Sequence, residues 1–150
     1  MLKILITPLR SLAWLLLKHK IRRQFPTVKQ VNTKTLAHWL DQKEQNLQLI
    51  DTRKVEEYAV SHLPNAEHIP DLETAKKHLN PNQLIIAYCS VGYRSSRLAK
   101  ELQQLGYDQV WNLEGSIFQW ANEGRTLMQN DQPTKQVHPY SKNWKWLLSQ

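Results

Sequence analysis

Residues 84–99 read LIIAYCSVGYRSSRLA, and the fold is decided by how this stretch is read. Leu84, Ile85, Ile86, Ala87 and Tyr88 form an unbroken apolar run of strand length, the pattern of a strand covered on both faces rather than on one. A loop with a single glycine follows. Leu98, Ala99, Leu102 and Leu105 then recur at helical spacing, and Gly106 stands where a left-handed residue closes a helix. A buried strand running directly into an amphipathic helix is half of a strand–helix–strand unit, and it predicts a parallel sheet with helices on its faces. The helix is expected to begin near Ser95.

The same alternation extends in both directions. Upstream, Thr27 to Val31 suits a short strand, and Asn32 or Thr33 can cap a helix carrying Leu36, Ala37, Trp39 and Leu40. Leu47, Leu49 and Ile50 lead a strand into the turn Asp51-Thr52-Arg53, followed by a short helix with Val55, Glu56, Glu57 and Tyr58. Pro64-Asn65 marks a turn, Ala66 to Ile69 a brief strand stopped by Pro70, and Asp71 the cap of a helix from Leu72 to Leu79. Downstream, Tyr107 to Leu113 is expected to be a strand, and Ile117, Phe118, Trp120 and Ala121 lie on a helix ended by Gly124. The chain is therefore expected to be an α/β protein with a mainly parallel sheet.

The loop between the central strand and its helix carries the chemistry. In an open parallel sheet, functional groups collect at the carboxyl ends of strands. Cys89 stands at such an end, ahead of a helix whose first N–H groups lack intrahelical partners and bear partial positive charge. Arg94 adds a permanent cation, and Gly92 lets the short loop curl so that successive amides point inward. All three favour the nucleophilic thiolate. A buried core cysteine would need neither the glycine, nor the arginine five residues on, nor Ser95 and Ser96 at the helix start.

Composition narrows the function classes. The chain has 150 residues and one cysteine, so an internal disulfide, a CxxC redox pair and a cysteine-rich zinc site are excluded, and a reducing, cytoplasmic setting is expected. The net charge of +7 is unevenly placed. Residues 1–23 hold Lys3, Arg10, Lys18, Lys20, Arg22 and Arg23 and no acid, while the remainder of the chain is almost neutral, which argues against a nucleic-acid-binding body. The apolar run in this arm, Leu12 to Leu17, is far shorter than the ~20 residues that span a bilayer. No small-residue cleavage site follows it. Two readings of the arm stand side by side: a helix at an anionic membrane surface, with Trp14 and the leucines in lipid, or a helix docked on the protein itself. The aromatic-rich tail with Tyr140, Trp144, Trp146, Leu147 and Leu148 offers a docking partner.

Three segments together resemble the rhodanese-like sulfurtransferase family, of the single-domain kind. YCSVGYRS is similar to its active-site loop. LIDTRKVEEYAVSHLPNAEHIP resembles its first signature, and VWNLEGSIFQWANEG its closing one. The resemblance covers residues 27–127, leaving a basic, apolar arm at 1–26 and a tail at 128–150. It implies a five-stranded, mainly parallel sheet flanked by helices on both faces. It also implies a sulfane sulfur carried as a persulfide on Cys89, taken from thiosulfate or a persulfide donor and passed to a thiol or cyanide acceptor, or to a protein. No cofactor or metal is implied. Ser61, Asn65 and Glu114 stand where the family usually has glycines. With one cysteine, the persulfide cannot be resolved internally, so an external acceptor must take the sulfur.

On this reading Cys89 is the nucleophile. Backbone amides of Ser90, Val91, Gly92, Tyr93, Arg94 and Ser95 would hold the charged terminal sulfur, with Arg94 binding the anionic donor. Ser95 and Ser96 are expected chiefly to cap the helix. Asp51 and Arg53, at the neighbouring strand end, are expected to be structural, with Arg53 paired to Glu56 or Glu57. His62 and His68 fit no metal spacing and are expected to be structural, and Trp111 and Trp120 to be core aromatics. Two alternatives remain. One is a non-catalytic binding module on the same fold. The other is a cysteine phosphatase or arsenate reductase, disfavoured because those phosphatases place five residues between cysteine and arginine where this chain has Ser90-Val91-Gly92-Tyr93.

Overall fold

The computed structural model describes residues 2–43 and 46–149. In chain order the elements are α1 (Leu2–Gln24), β1 (Lys29–Val31), α2 (Thr33–Asp41), β2 (Leu47–Asp51), α3 (Val55–Val60), β3 (Glu67–His68), α4 (Leu72–His78), β4 (Leu84–Tyr88), α5 (Tyr93–Gln104), β5 (Val110–Leu113), α6 (Ser116–Asn122), β6 (Leu127–Gln129) and β7 (Gln132–Thr134). A 3-10 turn, Lys145–Leu147, comes last. Five strands make one sheet in the order β1-β5-β4-β2-β3, with every neighbouring pair parallel. β6 and β7 form a separate antiparallel pair.

The apolar run of β4 is central and is covered on both sides. Ile86 and Tyr88 face one core, with Leu49, Leu113, Ile117 and Phe118, while Ile85 and Ala87 face the other, with Ile50, Leu98, Ala99 and Leu102. Register aligns the strand ends: Asp51 lies beside Tyr88, and Ala87 beside Asn112. The turns after β2, β4 and β5 therefore emerge at one edge of the sheet.

Local differences from the sequence-based expectations have identifiable causes. α5 starts at Tyr93, not Ser95, because Gly92, at φ +111°, takes the cap position in a conformation that L-residues rarely adopt. β5 starts at Val110 rather than Tyr107. Gly106 closes α5 in a left-handed conformation and the Tyr107 amide is spent on the Leu102 carbonyl, so residues 107–109 make the return connection. Asn32 caps α2 through its side chain, and Asp71 caps α4. The glycine-replacing residues also find local solutions. Ser61 is extended, at φ −169°, and needs no glycine, whereas Asn65 is left-handed, at φ +63°, a region that asparagine tolerates.

The N-terminal arm packs along the domain. Ile21 and Phe25 are buried, and Trp14 and Leu17 press against the core. Burial of the first two contributes roughly 1.5–3 kcal/mol each. Arg22 makes two hydrogen bonds to Glu114, at 2.8 and 2.9 Å, and Arg10 donates to the Leu148 carbonyl at 3.2 Å. The C-terminal tail is tied down by Asn122, which donates to the Leu147 carbonyl and accepts from the Ser149 amide. The opposite face of α1 leaves Leu9, Leu12, Leu15 and Leu16 exposed. No helix among the described residues is long and apolar enough to cross a membrane.

Candidate active site

Cys89 follows β4 directly, and only 1% of its surface is exposed. Two polar groups reach its sulfur. The Gly92 amide lies 3.1 Å from Sγ, and the Ser95 hydroxyl 3.4 Å. Gly92 can make this approach because its left-handed backbone turns the chain back on itself. A Cβ added there would meet Asn112 Nδ2 at 3.0 Å. Tyr93, Arg94 and Ser95 occupy the first turn of α5, where backbone amides have no intrahelical acceptor. The loop itself is pinned from below: the Cys89 amide donates to Ser116 Oγ at 3.2 Å, and the Cys89 and Ser90 carbonyls accept from the amides of Ile117 and Phe118.

Ser95 does not cap the helix, contrary to expectation. Its hydroxyl is buried between Cys89 Sγ and Asn112 Oδ1, the latter at 2.6 Å, and Asn112 is oriented in turn by Gln30 at 2.7 Å. Ser96 turns back to the Gly92 carbonyl at 2.6 Å. With Gly92 at the cap position, Ser95 lies one turn inside and points at the sulfur.

Arg94 does not stand free to meet a ligand. Its guanidinium makes a two-pronged ion pair with Glu57, at 2.8 and 2.9 Å, and reaches Ser90 Oγ at 2.9 Å. Burial opposes its charge, but the Glu57 hydrogen bonds and the nearby Cys89 sulfur outweigh that cost, so its pKa is raised. Burial likewise opposes ionisation of Glu57, yet Arg94, the Lys54 amide and Arg53 hold its carboxyl below the ordinary range. Tyr140, itself at φ +64°, lies over the guanidinium with 4.8 Å between them.

Arg53 takes a different partner from the one expected. It is fully buried and pairs with Asp51 at 2.7 Å, adds the Ser61 carbonyl at 2.6 Å, and leaves Glu57 to Arg94. Asp51 also accepts from the Arg53 amide, so the pair braces its own turn. His68 Nε2 meets the Arg53 carbonyl at 2.8 Å, and His62 Nδ1 the Leu63 carbonyl at 3.0 Å, with Tyr58 stacked on both rings. No group of three or more His, Cys, Asp or Glu side chains that could hold a metal ion occurs among the described residues.

The thiol opens into a cavity of about 210 Å³. Cys89, Ser90, Val91, Tyr93 and Arg94 form its floor, Leu17 and Lys20 of α1 one wall, and Tyr140 and Trp144 of the tail another. Of the residues expected at the site, Gly92 and Ser95 touch the sulfur and do not line this cavity, and Asp51 and Arg53 lie elsewhere. The sequence reading did not place Glu57, Asn112, Ser116 or either terminal segment at the thiol. Asn112 did leave a signal: a polar residue in the otherwise apolar strand Val110-Trp111-Asn112-Leu113. Lys20 and Trp144 left none, because nothing local connects them to a loop some 60 residues away.

The family model of the rhodanese-like domain matches residues 33–123. The chain is 30% identical over 82 residues to the putative sulfur carrier protein YrkF of Bacillus subtilis, covering 53% of this chain and 44% of that one. The chain spans less than half the length of the first curated relatives it matches. Among solved structures, the BH2092 protein of Bacillus halodurans superposes with a TM-score of 0.68 at 22% identity, over 86% of this chain and 94% of that one. A rhodanese-like domain protein of Staphylococcus aureus does so with a TM-score of 0.58 at 30% identity, over 69% and 99%. The parallel five-stranded sheet, the cysteine loop at its carboxyl edge and the span of these matches lead to one statement: the chain belongs to the rhodanese-like domain family.

Proposed function

We propose that this protein is a sulfurtransferase that carries a sulfane sulfur as a persulfide on Cys89. The observation that carries the reading is the convergence of the Gly92 amide and the Ser95 hydroxyl on a thiol that faces a cavity. The ionised thiol attacks the outer sulfur of thiosulfate or of a persulfide donor. A new S–S bond forms at Sγ, and the donor's S–S bond breaks with its electron pair leaving on sulfite or a thiolate. A thiol, cyanide or protein acceptor then attacks the outer sulfur and releases Cys89 as thiolate, so no net oxidation occurs. Backbone amides fixed before the reaction, that of Gly92 first, stabilise the charge on the sulfur without reorganisation. Arg94, held by Glu57, supports the loop. The naming of the Bacillus relative as a putative sulfur carrier supports the same chemistry.

Mass spectrometry of the intact protein after exposure to thiosulfate or an organic persulfide tests the reading. The wild type is expected to gain the mass of one sulfur atom, lost again on adding cyanide, and Cys89→Ser to gain none. Absence of an adduct with every donor would instead assign the chain to the non-catalytic binding modules.

Peripheral contact with an anionic lipid surface, at the cytoplasmic side, is proposed for the outer face of α1. Leu9, Leu12, Leu15 and Leu16 are exposed together on the side away from the domain, in an arm with six basic residues and no acid. Binding of the arm to the domain and to lipid are thus compatible, through opposite faces. Vesicles containing anionic lipid are expected to sediment the wild type but not the double variant Leu12→Glu, Leu16→Glu. Equal sedimentation of the two would refute the contact.

A further inference from the structure

The two terminal segments lie outside the stretch matched by the family model, residues 33–123, yet both supply walls of the cavity over Cys89. Leu17 comes from α1, and Tyr140 and Trp144 from the tail. Each segment is anchored: α1 by Arg22 on Glu114 and by Gln24, which donates to the Tyr93 hydroxyl at 2.7 Å, and the tail by Asn122. The walls are therefore fixed parts of the site, not loose ends.

The charge of this cavity is small. Arg94 has its charge balanced by Glu57 across two hydrogen bonds, and its face is covered by Tyr140. Lys20, at the exposed rim, is the one lining cation without a carboxylate partner among the described residues. A dianion such as thiosulfate would be moved from water to a space bounded by Leu17, Tyr140 and Trp144 with Lys20 as its one uncompensated side-chain cation, which is costly. An apolar body bearing a single negative charge matches the same surroundings. The cavity, about 210 Å³, is smaller than the ~300–1,000 Å³ typical for drug-sized ligands, so the body it admits is small, of the order of one ring.

We infer that the terminal segments make this site selective for an organic sulfane-sulfur donor, a monoanion with a small apolar body, over inorganic thiosulfate. The inference rests on Cys89 being the sulfur-carrying residue. With an arenethiosulfonate as donor, Cys89 thiolate attacks the terminal sulfur and forms the persulfide. The donor's S–S bond breaks, and the pair leaves on the arenesulfinate. Both sides of the step carry two negative charges, and no oxidant or reductant is needed. Trp144 and Leu17 act here as specificity-determining residues.

The test compares benzenethiosulfonate with thiosulfate on the full chain, reading persulfide on Cys89 by mass and release of sulfinate or sulfite. In the wild type, kcat/KM is expected to favour benzenethiosulfonate by about tenfold or more, the range that apolar pocket contacts give. Trp144→Ala is expected to collapse that ratio toward one, and Trp144→Phe, which keeps a ring, to retain most of it. A circular dichroism spectrum shows that the variants are folded. Equal use of both donors by the wild type, or a ratio unchanged in Trp144→Ala, overturns the inference while leaving sulfur transfer intact. Failure of both donors to load Cys89 defeats the proposed function, and the inference with it.

Discussion

Two loops leave neighbouring strand ends in this sheet, one after β2 and one after β4, and each contains an arginine paired with a carboxylate. In the first, Arg53 is sealed from solvent and makes four hydrogen bonds to Asp51 and Ser61 side-chain or backbone oxygens. In the second, Arg94 is only partly buried, pairs with Glu57 from another helix, and borders the cavity beside the thiol. The chemistry of the two pairs is alike, but their positions separate them. A buried pair within one turn can do little except hold that turn. A pair that spans α3 and α5 at a cavity wall couples the shape of the loop to the groups facing a ligand.

The largest effect is expected at the sulfur. Cys89→Ser is expected to lower sulfur transfer by about a thousandfold or more while leaving thermal unfolding close to the wild type, since a nucleophile's loss removes the chemical step itself. Steady-state transfer to cyanide and a melting curve together read it.

Next comes the sealed arginine. Arg53→Met removes one partner of a fully buried ion pair and leaves Asp51 uncompensated, so a loss of about 3–5 kcal/mol in urea unfolding is expected. A loss below about 1 kcal/mol would mean that the first loop is not the structural one.

The open pair has a pH signature. Because the Glu57 carboxyl is held below its ordinary range, its contribution to stability is fully present above the unfolded value and is lost as pH falls through the folded one. Glu57→Gln is expected to be less stable than the wild type near neutrality by about 1.5–3 kcal/mol, and the gap to close in acid. Denaturant titrations across that range check it, and a gap that widens on acidification would contradict the assigned direction.

The smallest effect belongs to the loop backbone. Gly92→Ala places a Cβ 3.0 Å from Asn112 Nδ2 at a φ of +111°, so the amide that donates to the sulfur must move. Persulfide formation is expected to slow by about tenfold with the transfer step intact. A rate equal to the wild type would show that this donor is dispensable.

Much of this architecture is local in origin and so was legible from residues alone. The apolar run 84–88 demanded two covered faces, Asn32 and Asp71 carried their own helix caps, and the Cys89–Ser96 segment announced a loop entering a helix. Where expectation and structure part, the deciding contact lies far away in the chain. Arg53 and Glu57 are four residues apart, a natural pair on spacing. Yet Asp51 lies closer in the turn, and Arg94, 37 residues from Glu57, offers the better geometry. Ser95 was expected as a cap because helix starts favour serine, but Gly92 had already taken that place.

The sequence by itself determined the class of fold, the place of the lone thiol at a strand end and the loop around it, because these depend on hydrophobic periodicity, turn chemistry and residues adjacent in the chain. Only the tertiary structure decided which carboxylate holds which arginine, that Asn112 and Ser116 support the loop, and that the two termini close over the thiol. Such contacts are between side chains brought together by sheet order and helix docking. Their partners are selected by distance in space, which one-dimensional spacing does not encode.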